Sequence, residues 1–180
     1  MSDRESPRSG EIRKSATKSG TIVLGILSDT HGLLRPEALQ ALRGVDHILH
    51  AGDVGDATIL KTLRTIAPVN AIRGNIDEHG PCAQLPPTEI VEFAGHSLYM
   101  LHDRNSLDLD PAAAGFSAVL SGHSHKPLIE WRGDVLYFNP GSAGPRRFSL
   151  PISLGLLTIR SGTSGERRRS EALEPQLIEL

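Results

Sequence analysis

The chain has 180 residues, 38% of them hydrophobic and 22% charged, with a formal net charge of −2. That length and apolar content suit one domain with a full core, and the single cysteine, Cys82, excludes an internal disulfide, so a cytoplasmic setting is expected. No apolar run approaches the roughly 18 residues of a membrane span, and the first twenty residues lack the continuous apolar stretch of a secretory signal.

Charge is unevenly spread. Residues 1–20 carry five basic and three acidic side chains and residues 160–180 carry four of each, leaving ten basic against fourteen acidic in 21–159, a net of −4. Such a core offers no polyanion-binding surface, so nucleic acid is not an expected partner and a phosphate must be drawn by bound metal and a few arginines. By composition, 1–20 reads as a disordered N-terminal tail and 160–180, with Arg167-Arg168-Arg169, as a C-terminal tail around a 21–159 domain.

In chain order, residues 21–27 form an apolar, β-branched run that reads as a strand buried on both faces, followed by a polar loop, Ser28-Asp29-Thr30-His31-Gly32. Pro36 opens a helix to about Leu42, and 45–49 is a second buried strand ending at His50-Ala51-Gly52-Asp53. After Asp56 comes a helix to about Ile66, then a short strand, 69–72, ending at Gly74-Asn75. Strand, polar cluster and helix thus recur, and in parallel α/β sheets the carboxyl ends of the strands are where ligands bind. Strands 89–93 and 97–101 flank Ala94-Gly95-His96 as a hairpin that delivers His102. A short helix is expected at 110–114, then strand 118–120 delivering Gly122-His123-Ser124-His125. Strands 128–131 and 135–138 pair across Arg132-Gly133-Asp134, and the last strand spans 152–159. Two mixed sheets packed face to face with helices outside account for this order.

Five short motifs at strand ends carry the chemistry: Asp29-Thr30-His31, Gly52-Asp53, Gly74-Asn75-Ile76-Asp77, Leu101-His102 and Gly122-His123-Ser124-His125. They supply enough oxygen and imidazole ligands for two metal ions, with Asp53 the natural shared carboxylate. In this order the motifs resemble those of the calcineurin-like metallophosphoesterases, in particular their small bacterial and archaeal phosphodiesterase branch, over residues 21–159. The resemblance implies a four-layer αββα sandwich and a metallophosphoesterase activity. It places Asp29, His31, Asp53 and His125 on one ion and Asp53, Asn75, His102 and His123 on the other, with Asp53, Asn75 and His102 as catalytic candidates. Two divalent ions per chain are implied, Mn2+ favoured, with Fe, Co, Ni and Zn as alternatives suited to mixed carboxylate, amide and imidazole ligands. The other histidines, His47, His50, His79 and His96, fit no ligand slot, and His50 is the one best placed to line the site.

Two ions about 3.5–4 Å apart generate a bridging hydroxide and clamp phosphate for in-line attack. The expected reaction is therefore hydrolysis of small or activated phosphodiesters. Asn75 has a second task, because its NH2 group can donate to a phosphate oxygen. Asn139-Pro140-Gly141-Ser142 is similar to a loop of the same branch, and Arg146 or Arg147 just after it is a candidate phosphate contact. The chain departs from relatives in two places. Ile76 stands where many carry a proton-donating histidine, and His102-Asp103-Arg104 replaces a usual His-Gly-His. Alternatives are a phosphomonoesterase or protein phosphatase, or a non-catalytic scaffold like the retromer subunit that resembles this branch with part of the ligand set lost. A homo-oligomer is compatible with either reading.

Overall fold

Strand β1 (Thr21–Leu27) has alternating side chains that serve two different cores. Leu24 and Ile26 face a second sheet, while Val23 and Leu27 pack toward helices. The computed structural model describes residues 20–161 and 169–180, so the N-terminal tail and the Arg167-Arg168 pair lie outside the described residues. Helix α1 (Pro36–Ala41) begins at its proline, whose missing N–H costs nothing in the first turn. Helix α2 (Ala57–Leu63) is capped by Asp56, whose carboxylate accepts from the Thr58 N–H at 2.8 Å. Both helices cover the outer face of the first sheet through Ala38, Leu42, Ile59, Leu60 and Leu63.

The first sheet has the order β10-β9-β1-β2-β3. It is built from β1, β2 (His47–His50), β3 (Val69–Ala71), β9 (Ser153–Arg160) and β10 (Leu173–Glu179). β1, β2 and β3 are parallel, β9 runs antiparallel to β1, and β10 runs antiparallel to β9. The second sheet has the order β4-β5-β6-β8-β7, from β4 (Thr88–Phe93), β5 (His96–Leu101), β6 (Ala118–Leu120), β7 (Leu128–Arg132) and β8 (Val135–Asn139). β5, β6 and β8 are parallel at its centre. The two inner faces interlock through Leu24, Ile26, Leu49, Leu98, Met100, Leu120, Leu136, Phe138 and Leu157, all 1% exposed or less. Two mixed five-stranded sheets packed face to face are the expected sandwich.

Three particulars differ from expectation. The 160–180 segment is no tail over its second half: after the short helix α3 (Arg169–Ala172), β10 pairs along β9 and buries Leu173 in the inter-sheet core. Pro175, which hides the strand in the sequence, is tolerated because β10 is an edge strand. The helix expected at 110–114 is a turn, because the Asp110 carboxylate takes the Ala112 and Ala113 N–H groups and Gly115, at φ 81°, ends it at once. The outer layer on the second sheet is consequently thin. Leu101, Val119, Val135 and Tyr137 there are packed against Tyr99 and Leu107, which follows a 3-10 turn at Arg104–Ser106.

Candidate metal centre

The carboxyl ends of β1, β2 and β3 in one sheet and of β5 and β6 in the other open on the same rim, so residues far apart in sequence meet there. Immediately after each strand the chain must reverse direction, and the side chains that do so adopt backbone angles few residues accept. Seven described non-glycine residues have positive φ, and five of them are Asp29 (56°), His31 (46°), Asp53 (54°), His123 (66°) and His125 (57°). Left-handed geometry costs a non-glycine residue about 1–3 kcal/mol and persists only where the surroundings enforce it. Its concentration on the expected ligands marks the rim as a functional centre.

Donor atoms of Asp29, His31 and His125 lie within 4.8 Å of one another, and so do those of Asp29, Asp53 and His102. Asp29 Oδ1 is 3.2 Å from His125 Nε2, 3.7 Å from His31 Nε2 and 3.9 Å from His102 Nε2. Asp53 Oδ2 stands between the imidazoles of the two groups, 3.6 Å from His31 Nε2 and 3.3 Å from His102 Nε2. Both carboxylates thus have the intermediate position that the sequence reading gave to Asp53 alone. Asn75 and His123 lie at the open side, where Asn75 Oδ1 is 3.0 Å from His123 Nδ1 and the His123 N–H donates to Asp29 Oδ2 at 3.0 Å.

His102 tests whether a cation fits. Its Nδ1–H donates to the Ala51 carbonyl at 2.7 Å, which leaves the lone pair of the neutral ring on Nε2. That buried Nε2, like Asp29 Oδ1, has no hydrogen-bond partner. An imidazole lone pair and two carboxylates aimed at one point repel unless a proton or a metal ion lies between them. The donor set, all carboxylate and imidazole with no thiolate, suits a divalent metal ion.

Electrostatics agree. Burial alone would raise the Asp29 carboxyl, but His31, Ser28 and the charges of His102 and His125 outweigh it and hold it below the usual carboxylate range. Asp53 is likewise depressed, burial being outweighed by His102 and by the Ile76 N–H, which donates to Oδ1 at 3.0 Å. Burial would lower His102, yet Asp53, the Ala51 carbonyl and Asp29 raise it. His125 is lowered by burial, with the Arg147 charge acting in the same direction.

The remaining expectations separate. Arg147 stands near enough for its charge to be felt at His125, whereas Arg146 donates to the Leu150 carbonyl of its own loop at 3.3 Å. His50 does not line the site: it is fully buried, its Nε2 lies 2.9 Å from the Thr30 hydroxyl, and burial pushes its pKa down to about 4. The Asn139–Ser142 loop braces the centre from beneath instead of reaching its rim. Asn139 donates to the Gly122 carbonyl at 2.7 Å and the Ser142 hydroxyl to the Asp29 carbonyl at 2.9 Å.

Asp77 carries a role that the sequence reading left unassigned. Buried to 1% exposure, it accepts from the Val54, Gly55 and Gly74 N–H groups at 3.0, 2.9 and 2.9 Å, lacing the loop that bears Asp53 to the loop that bears Asn75. A carboxylate three residues after a glycine was the available signal, though it names no partner. Gly74 and Gly122 complete the frame. A Cβ on Gly74 would strike the Asp53 carboxylate and one on Gly122 would strike Ser28 and Asp29, so glycine lets these loops close on the ligands.

Comparison with known proteins agrees with this geometry. Residues 22–162 match the calcineurin-like phosphoesterase superfamily domain, and the chain belongs to that superfamily. It is 37% identical over 136 residues to the "Probable metallophosphoesterase MJ0623" of Methanocaldococcus jannaschii, covering 68% of this chain and 69% of that one. It is 29% identical over 156 residues to the phosphodiesterase YfcE of Escherichia coli, covering 72% and 84%. Among solved structures, Vacuolar Protein Sorting 29 from Cryptosporidium parvum shares the fold at a TM-score of 0.69 and 16% identity, over 90% of this chain and 99% of that one.

Proposed function

We propose that this metallophosphoesterase is a dinuclear, cytoplasmic phosphodiesterase that hydrolyses small or activated phosphodiesters, with Mn2+ its favoured metal. The observation that carries the reading is the convergence of Asp29 and Asp53 with three imidazoles in two overlapping ligand groups. When bound, a pair of divalent ions activates water and polarises the phosphoryl oxygens. The chain's own residues then fix the geometry. Asp29 and Asp53 would bind both ions, His31 and His125 would complete one sphere, and His102 would complete the other with Asn75 and His123 from its open side. The Asn75 NH2 group has no protein acceptor among the described residues and is free to donate to a phosphate oxygen. Arg147, whose charge is felt at His125, adds to the positive field that would draw an anionic ester.

Ile76, 43% exposed at the rim, offers no proton to a departing alkoxide, and His50 is too buried to do so. This favours diesters with acidic leaving groups. The name of YfcE, a phosphodiesterase, supports the same reading. The Vacuolar Protein Sorting 29 likeness carries the fold alone at its identity, and the complete ligand set favours an enzyme over a scaffold.

The test is a screen of metal-reconstituted protein over aryl and natural phosphodiesters and monoesters. Diester hydrolysis is expected, and Asp53→Asn should lose metal and reduce turnover by several orders of magnitude with an unchanged circular-dichroism spectrum. Metal-loaded protein that cleaves no ester, or an Asp53→Asn variant with normal metal content and rate, would overturn the proposal.

A further inference from the structure

The Asp103-Arg104 departure opens onto a groove of about 250 Å³ that begins at His123, at the edge of the metal centre, and runs between the 3-10 turn and the 121–128 loop to Leu128. Its charge runs against that of the rest of the domain. Arg104 is held by Glu130 at 3.1 Å, but Glu130 is also gripped by Arg132 through bonds of 2.9 and 3.2 Å, so the trio keeps one positive charge. One guanidinium nitrogen of Arg104 is fixed by that bond, and its others are left to donate. Lys126 lines the same groove and makes no ion pair among the described residues.

Neutral donors face the same space. The Ser124 Oγ accepts from Asn139 at 3.1 Å and from the Lys126 N–H at 3.3 Å, which leaves its hydroxyl proton without a protein acceptor among the described residues. The one carboxylate of the lining, Asp103, turns Oδ1 to the Asn105 N–H at 2.9 Å and Oδ2 to within 3.9 Å of His123, and its single negative charge stands against the two cations Arg104 and Lys126. Two cations and a hydroxyl donor around a small groove form a receptor for a compact oxyanion.

We infer that this groove binds a second anionic group, a phosphate or a carboxylate, carried on one arm of the substrate. The inference rests on the phosphodiesterase reading and narrows it, since the substrate becomes an asymmetric diester with a terminal charge on the arm that passes His123. The charge of the groove, and not that of the domain at large, recruits it. The second cavity at the centre, about 460 Å³, opens on Asn75 and His102 and is lined by Tyr99, Thr88, Ser106, Asp108 and the shared Asp103 with no Lys or Arg, so it suits the uncharged arm.

The experiment compares two aryl phosphodiesters that differ only in a terminal phosphate on the second arm, with metal-loaded wild type and Lys126→Ala. The wild type should favour the charged diester in kcat/KM by about ten-fold or more, the effect of one charge-assisted contact, and Lys126→Ala should erase most of that preference. Added salt should erode it as well. A carboxylate-terminated diester, run alongside, identifies which oxyanion is preferred. Calorimetry with the corresponding non-hydrolysable phosphonates, charged and uncharged, reads the same ratio without turnover. If neither diester is cleaved, the phosphodiesterase reading fails while the phosphonate ratio still judges the groove. Equal affinity for the two phosphonates, or a preference that Lys126→Ala leaves intact, would overturn the inference.

Discussion

Asp77→Asn isolates what the lacing carboxylate does for the centre, because the amide keeps the shape while removing the charge and one acceptor. In the wild type, one oxygen serves the Val54 and Gly74 N–H groups and the other serves Gly55. The amide oxygen will keep the pair and turn its NH2 toward Gly55, so one charge-assisted bond is lost and two become neutral. Bonds to charged groups are worth about 1.5–3 kcal/mol and neutral ones about 1, so the substitution should cost at least about 2.5 kcal/mol. Urea unfolding of metal-free wild type and variant measures this directly. Asp56→Asn, which touches only a helix cap at the surface, is the control and should cost less than about 1 kcal/mol. Because Val54 and Gly74 adjoin Asp53 and Asn75, calorimetric titration should also show metal affinity about 10–100-fold weaker, the usual penalty for disturbing a ligand's support. A loss of stability below 1 kcal/mol, or metal affinity within two-fold of wild type, would refute the lacing role.

Three further outcomes are expected. Over a series of aryl and alkyl diesters, the wild-type rate should fall steeply with rising leaving-group pKa, and Ile76→His should flatten that fall, since general-acid help is worth about 10²–10⁴-fold; a shallow wild-type dependence would show that another group supplies the proton. His50 has a pKa near 4 in the folded chain against 6.5 when unfolded, so the unfolded state binds the extra proton. Its contribution is complete above pH 6.5 and is lost as pH falls toward 4, about 3 kcal/mol in all. Metal-free His50→Gln should therefore lose less stability than wild type across that window, and parallel curves would exclude the assignment. Deleting residues 169–180 should remove at least about 3 kcal/mol by stripping β10 and uncovering Leu173, read as a lower thermal midpoint; an unchanged midpoint would mean the strand is dispensable.

What the sequence disclosed follows from how each feature is encoded. β1, β6 and β8 are central strands buried on both faces, so each appears as an apolar run bounded by polar residues, whereas β2 shows only Ile48-Leu49 between two histidines. The β4–β5 hairpin was visible because Ala94-Gly95 supplies two positive φ angles in a two-residue turn. β10 escaped because an edge strand buries one face only, and Leu173-Glu174-Pro175-Gln176 has too few apolar residues to show alternation. The convergence of ligands was legible from their repeated place after strands. Their geometry was not: that Asp29 shares the central position with Asp53 depends on left-handed turns that residue types alone do not announce. His50 and Asp77 are decided by burial and backbone partners, neither of which has a local motif.

The centre straddles a seam. Asp29, Asp53 and Asn75 leave the ends of one sheet, His102, His123 and His125 leave the ends of the other, and between the hydrogen bonds that join them the unpartnered His102 Nε2 meets the Asp29 and Asp53 carboxylates. An ion coordinated from both sides is a rivet, holding shut the end of the sandwich where the apolar core gives way to charge. Its binding energy becomes resistance to the two sheets parting, and by mass action the protein should grow harder to unfold as free metal rises. Starving such a protein of metal loosens its architecture at the same place and moment as it silences its chemistry, so a proteolytic cut in the rim loops can report metal status as faithfully as turnover does.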